Sequence, residues 1–345
     1  MCWAAIRKDL VIYLAILLYI ALAGLAAWVA GVGERFSVLV YPATTLLVVP
    51  VMAISSVVIF SAYVILILKP DTPIGYVRSA IARLLRSEGF FRALPLLAFF
   101  TLFFSAASSF KALIPFFNPF SWDADFIVLE HWLHGGRQPW EWLQPLLGYP
   151  WITLLINFVY NLWFFVMFLV VLWQLIDIRS EQRRHTFLLS FVLIWVINGS
   201  LLAVFFSSAG PCFLDRLFPG EANPFSELMY YLNDASQSVP VWALPTQDAL
   251  WALYESKRIG AGAGISAMPS MHVSVAWLIF LLVRKEAAWL RWLGRVFVAF
   301  ILIGSVHLGW HYAVDGYLAI ATTTLIWWLS GQWITLASKG SAARE

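Results

Sequence analysis

Charge is what this sequence lacks. Only 12% of its 345 residues are Asp, Glu, Lys or Arg, against about a quarter in ordinary soluble domains, which excludes a water-soluble globular protein. The same shortage removes the solvated basic surface that nucleic-acid binding requires. No nucleic-acid partner is expected, and the 19 tryptophans and 27 phenylalanines read as interfacial belts and packed spans. Cysteine is nearly absent: Cys2 and Cys212 cannot build a disulfide framework, and the topology derived below puts them on opposite sides of a bilayer. There is no internal repeat and no low-complexity tract. The run "GAGAG" (260–264) adjoins no predicted strand and lacks a Lys-Ser/Thr ending, so it is no nucleotide-binding loop. A hinge for the surrounding loop is expected there instead.

What the chain has is apolar sequence, 61% of it. Stretches long enough for a hydrocarbon core of about 30 Å lie near 10–31, 44–68, 93–114, 150–176, 186–207, 270–283, 296–309 and 311–337. The expected fold is therefore all-α, a polytopic membrane helix bundle of about eight spans. The sixth and seventh are short, as suits helices that line a cavity. The first run follows Arg7 and Lys8 and is expected to be a retained anchor rather than a cleaved leader. Two further segments read as interfacial amphipathic helices: 71–92, with arginines opposite an apolar face, and 122–143, as two short helices broken at Gly135 and Gly136. The expected organisation is 1–92, two spans and an interfacial helix, followed by 93–345, a six-span core whose long loop is 208–269.

Loop cations set the expected orientation. Lys69, Arg78, Arg83, Arg86 and Arg92 follow the second span, Arg179, Arg183 and Arg184 the fourth, and Arg284, Lys285, Arg291 and Arg295 the sixth. These loops are assigned to the cytoplasm, together with both termini. The opposite loops carry Asp123, Asp125, Glu130, Glu141 and Arg137, then 208–269 with only Arg216, Lys257 and Arg258. A multi-pass protein of a bacterial inner membrane with a periplasmic site, or of a eukaryotic ER or Golgi membrane with a lumenal one, is expected.

Polar residues inside such sequence need a reason. "AMPSMHV" (267–273) and "HLGWHYAVDGYLA" (307–319) bring His272 and His311 to the non-cytoplasmic heads of spans six and eight, at one depth. Asp315 follows His311 by one helical turn, so its carboxylate can hold one ring nitrogen and leave the other free to attack. Ser270 can cap span six behind Pro269, aiming free N–H groups and the positive helix end at the place where His272 points. That combination is an anion site beside an acid/base residue. Asn157 and Asn161, one turn apart in span four, and Asn198 in span five suit helix-to-helix hydrogen bonding or headgroup contact.

"MPSMH" and "HYAVD" resemble the second and third signature motifs of the type 2 phosphatidic acid phosphatase superfamily, in the form seen in inositol phosphorylceramide synthases and their bacterial relatives. The resemblance covers spans three to eight. It implies a lipid phosphotransferase or phosphatase in which His311 forms a phosphohistidine, Asp315 orients it, and His272 protonates the leaving oxygen and later activates the acceptor. The implied partner is a membrane lipid (a phospholipid, a lipid phosphate or a ceramide-type acceptor), with no cofactor and no metal. Soluble-headgroup phosphatases of the superfamily carry a Lys and Arg motif before the Pro-Ser-x-His and a Ser-Arg pair upstream of the nucleophile; at the latter positions this chain has Gly304 and Ser305, which resembles the sphingolipid synthase branch and favours transfer over hydrolysis. With that pair missing, Arg258, Lys257 and Arg216 become the candidate phosphate clamp, with Ser270 as a further phosphate-binding residue.

Two other readings compete. His307, His311 and Asp315 at successive fours would share a face for a metal-dependent hydrolase if the helix ran unbroken through Gly309; the charge map needs a turn there. A transporter with a His/Asp proton relay fits the composition, but the chain lacks paired discontinuous spans in matching halves.

Overall fold

Prolines open four of the helices, where a missing N–H costs nothing and the fixed φ suits the first turn. They are Pro42, Pro73, Pro139 and Pro150. The computed structural model describes residues 8–342 except 259 and 261; Cys2, Arg7 and Ala261 therefore lie outside the described residues. Described residues form helices and no strand. The long ones are α1 (Leu10–Val29), α2 (Pro42–Leu68), α4 (Glu88–Phe117), α7 (Pro150–Ile176), α8 (Glu181–Phe205) and α12 (Ala288–His307), each long and apolar enough to cross a membrane. Shorter α3 (Pro73–Leu85) precedes α4, and α5 (Asp123–Leu133) and α6 (Pro139–Leu147) precede α7. The loop after α8 carries α9 (Ser226–Ala235) and α10 (Ala243–Glu255). The chain then forms α11 (Met271–Val283) and, after α12, α13 (Ala313–Ala342).

All eight expected spans are helices. Six meet the length and apolarity for crossing, while α11 has 13 residues and α13 has 30. The seventh is longer than its apolar stretch indicated, because "AWLRWLGR" adds two turns ahead of it. The segment 122–143 breaks where glycine predicts: Gly135 and Gly136 take φ +70° and +83°, a region open to residues without Cβ.

Helices α4, α7, α8, α11, α12 and α13 surround one apolar core, in which α11 is buried almost all round, the pattern of a central rather than a surface helix. At α11's head, Ser270 Oγ accepts from the N–H of Val273 at 3.4 Å. Helix α2 is peripheral: only 11% of its apolar window is buried.

One end of the bundle is locked by ions. Asp9, fully buried before α1, accepts from Arg92 at 2.9 Å, from His185 at 2.8 Å and from Arg184. Arg92 also pairs with Glu181. Both guanidinium groups are 1% exposed, so the arginines that mark this end by charge also join α1, α4 and α8 inside it. Burial works against the Asp9 charge, yet His185, Arg184 and Arg92 hold its carboxyl well below the usual carboxylate range. Asp9→Ala removes the carboxylate that both buried arginines share, leaving Arg92 with Glu181 and Arg184 with the Gln174 and Leu175 carbonyls, and removing one partner of a buried pair costs about 3–5 kcal/mol. Thermal unfolding of the purified protein in detergent should show a large drop in midpoint, with far less for Lys8→Ala, whose pair with Glu88 is half exposed.

Candidate functional site

The residues 309–312 turn the chain between α12 and α13. Gly309 has φ +72°, and the Ser305 carbonyl accepts from the N–H groups of both Trp310 and His311 at 3.0 Å. The turn ends α12 at His307, so His307, His311 and Asp315 do not lie along one continuous helix. Among the described residues, their ligand atoms form no group placed to share a metal ion. His307 Nε2 instead meets Thr153 Oγ1 at 2.9 Å, which in turn meets the Tyr231 hydroxyl at 2.6 Å, a polar chain joining α12, α7 and α9.

His311 faces the other way. Its Nδ1 donates to Asp315 Oδ2 at 3.1 Å, and the same oxygen accepts the N–H of Tyr312 at 3.0 Å. Asp315 is fully buried, and its pairing leaves Nε2 of His311 as the available nitrogen. The Ser270 N–H donates to the Asp315 carbonyl at 3.2 Å, tying the head of α11 to the first turn of α13. His272 stacks on Tyr160 at 4.7 Å between centroids and lies tilted against Trp163 at 4.1 Å, and Trp163 Nε1 donates to the His272 carbonyl at 2.9 Å. The two imidazoles stand 6.4 Å apart, centroid to centroid. His272, His311 and Asp315, distant in sequence, thus meet.

Both imidazoles line a cavity of about 570 Å³ that continues between α2, α4 and α7 to Leu97, Val171 and Leu172. The rise along α4 from Leu97 to Lys111 is about 21 Å at about 1.5 Å per residue, some two-thirds of a hydrocarbon core. Lys111 and Asn161 line its polar end. Sequence reasoning passed over Lys111 because it lies inside a span, where loop charge counting does not look.

The expected clamp residues lie elsewhere. Arg216 is paired with Asp248 and sits over the Trp251 ring. Lys257 and Arg258 line a separate cavity of about 240 Å³ with Arg35 and Glu255. Ser270 is buried at the head of α11. Gly304 stands in contact with α7, where a Cβ would come within 3.0 Å of the Tyr160 ring, and Ser305 is buried. Asn198 donates to Ser274 at 2.9 Å, a helix-to-helix bond, whereas Asn161 donates to the Asn157 carbonyl on its own helix.

Gly262 and Gly264 of the glycine run touch the elements beside the cavity. Gly262 N–H donates to the Tyr41 hydroxyl at 2.7 Å. Gly264 has φ +99°, and a Cβ there would lie 2.6 Å from the Lys111 carbonyl carbon. The loop is thereby pressed onto α2 and α4 above the cavity.

Two carboxylates of α5 hold the site's backbone. Asp123 accepts from Ala209 and Gly210 N–H at 2.9 Å each and from the Tyr312 hydroxyl at 2.8 Å. Glu130 accepts from the N–H groups of Ala313 and Val314, capping α13 from outside. Burial, with the neighbouring Asp315 charge, pushes the Glu130 carboxyl up to about 8. A raised carboxyl pKa means that the folded protein binds the extra proton. The stability Glu130 contributes is therefore complete below its ordinary value of 4.5 and is lost as pH rises through about 8. The unfolding midpoint should fall across that window, and Glu130→Gln, which keeps an acceptor for both N–H groups, should flatten the fall. An unchanged profile in Glu130→Gln would remove Glu130 as its source.

Neither a curated protein nor a solved structure matches the chain. A family model does: residues 124–329, carrying His272, His311, Asp315 and Glu130, match the PAP2 superfamily. The match covers more than half of the chain, its apolar helices fit a membrane phosphatase or phosphotransferase, and the chain belongs to the PAP2 superfamily.

Proposed function

We propose that the protein is a lipid phosphotransferase or phosphatase working through a phosphohistidine on His311 at the non-cytoplasmic face. The observation that carries this reading is the His311–Asp315 pair at 3.1 Å facing His272 across the head of an apolar cavity. His311 Nε2 attacks phosphorus as the bond to the leaving oxygen breaks, and protonated His272 gives that oxygen its proton. Asp315 stabilises the charge that develops on the His311 ring. In the second half, His272 takes the proton of an acceptor hydroxyl, whose oxygen attacks phosphorus and restores His311. A phosphoryl group seated between two rings 6.4 Å apart has one imidazole on the attacking side and the other toward its leaving group.

The apolar lining supports a lipid donor, with a hydrocarbon chain running from the histidines toward Leu97. Gly304 and Ser305, in place of a Ser-Arg pair, support transfer to a lipid alcohol in the manner of inositol phosphorylceramide synthases over hydrolysis. Lys257, Arg258 and Arg35 draw anionic headgroups toward this end of the bundle by long-range attraction.

Labelled phospholipids and lipid phosphates, supplied with and without a lipid alcohol, would identify donor and acceptor. His311→Ala should abolish both turnover and an acid-labile, base-stable phosphoenzyme. His272→Ala should slow its formation and breakdown by about a hundredfold to ten-thousandfold, and Asp315→Asn should cost a large part of the rate with normal folding. Activity should survive excess chelator. Substantial turnover in His311→Ala, or loss to chelator with recovery on adding zinc, would refute the mechanism.

Chain length offers a second check. Leu97→Trp fills the floor of the cavity and displaces terminal methylenes, each worth about 0.8 kcal/mol when buried. Turnover of long-chain substrates should fall while short-chain substrates are spared; equal losses for both would place the chain elsewhere.

A further inference from the structure

We infer that the cavity of about 240 Å³ beside Arg35 is a binding site for the anionic headgroup of a second lipid, one that is held there and not converted. Among the described residues that line it, Arg35, Lys257 and Arg258 are cations and Glu255 is the one carboxylate. No ion pair joins any of the three to Glu255 among the described residues. The Arg35 guanidinium lies over the Phe116 ring at 4.9 Å, and its Nη1 is buried with no hydrogen-bond acceptor among the described residues. A buried donor on a charged group is costly to leave open. With its face on an aromatic ring, the guanidinium has its edge free for an anion.

The backbone fixes where these charges stand. Helix α10 ends in paired hydrogen bonds, from the Lys257 N–H to the Tyr254 carbonyl at 3.1 Å and from the Arg258 N–H to the Leu253 carbonyl at 3.0 Å, an ending whose left-handed position glycine usually fills. Here Lys257 fills it at φ +52°, a conformation that costs a residue with a Cβ. The negative end of α10 favours cations at these two positions. It does not account for Arg35, which comes from the turn Gly33–Arg35 between α1 and α2. Ser109 of α4 ties that turn down: its hydroxyl donates to the Arg35 carbonyl at 3.3 Å and accepts the Ser37 N–H at 2.9 Å. Two unrelated elements thus bring charge of one sign to one cavity.

Lining and size name the ligand. Leu113, Pro115 and Phe116 form an apolar wall where α4 ends, so the occupant carries carbon beside its charge and lies at the border of the apolar bundle. Sites that enclose a whole drug-sized ligand run from about 300 to 1,000 Å³; this one is smaller and takes a headgroup with its chains left outside. The reacting centre is next door. Leu253, Gly264 and Ile265 line both cavities, while His272 and His311 line the other. An anion seated beside Arg35 joins the turn before α2 to the end of α10 and steadies the wall between the two cavities.

The test uses the full-length protein in detergent micelles, with a trifluoromethyl label on the cysteine of Ser256→Cys, an exposed position beside the cavity. Fluorine NMR follows the resonance that the unsubstituted protein lacks while dihexanoyl phosphatidylglycerol, inorganic phosphate or dihexanoyl glycerol, which has no phosphate, is added. Phosphatidylglycerol should shift it saturably and dihexanoyl glycerol should not. Arg35→Gln should weaken binding by about tenfold to a hundredfold, the range of one charge-assisted hydrogen bond, and Arg35→Lys should recover part of the loss. Should Arg35→Gln misfold, the double variant Lys257→Gln with Arg258→Gln, at exposed positions, carries the same expectation. Saturation by the lipid, with or without inorganic phosphate, supports the site; saturation by inorganic phosphate alone overturns the lipid as its ligand. An equal response to dihexanoyl glycerol, or wild-type affinity in the neutral variants, overturns the site itself. His311→Ala, labelled in the same way, keeps this site apart from the proposed mechanism. Retained binding in an inactive His311→Ala supports a separate site, whereas binding lost with His311 puts the ligand in the other cavity and overturns it. Turnover in His311→Ala would refute the phosphohistidine and leave the second site standing.

Discussion

A helix that starts below a membrane surface exposes backbone N–H groups to a place where water cannot satisfy them, and every one must find an acceptor in the protein. The site is arranged around that demand. Glu130 caps α13 from a neighbouring helix, Asp123 takes the N–H groups of Ala209 and Gly210, and Asp315 takes that of Tyr312. Asp315 Oδ2 thus fixes a backbone turn and orients the His311 ring together. Under the proposed function, orientation of the attacking ring is a by-product of satisfying the polypeptide at a helix start, and α5 supports the site through the backbone it holds.

Much of this was legible in the sequence. Span positions followed from apolar run length, the turn at Gly309 from loop charge, and the His311–Asp315 pair from one helical turn of spacing; all three depend on local sequence. The interior contacts were not legible. Arg92 and Arg184 were read as loop cations, yet they are buried on Asp9, because charge counting records which end of a helix a residue occupies and not whether it faces a partner. Asp123 and Glu130 read as surface acids for the same reason. Lys111 escaped since nothing in "SSFKALIP" separates a snorkelling lysine from one turned inward. Lys257, Arg258 and Arg216 were legible as the only cations of the outer loop that leads into "MPSMH", but the loop folds so that they border a different cavity or an ion pair.

The matched stretch, 124–329, and the folded unit do not coincide. Helix α1 neutralises arginines of α4 and α8, α2 and α4 wall the cavity, and Lys111 stands at its polar end. Under the proposed function, the chemistry resides in the part common to the superfamily, and the helices ahead of it shape which substrate that part is offered.

Gly264 has a consequence for how substrate arrives. The loop meets α4 with less clearance than a methyl group needs, and Gly262 and Gly260 are bonded to Tyr41 and Ser108 beside it, so Gly262 and Gly264 close part of the cavity's rim. Under the proposed function, the way in is sideways past loosely packed α2, from the bilayer. A substrate recruited in that way is sampled by lateral diffusion in two dimensions. The rate would then follow the mole fraction of the lipid in the membrane and would be diluted by other lipids, whatever the volume of water outside.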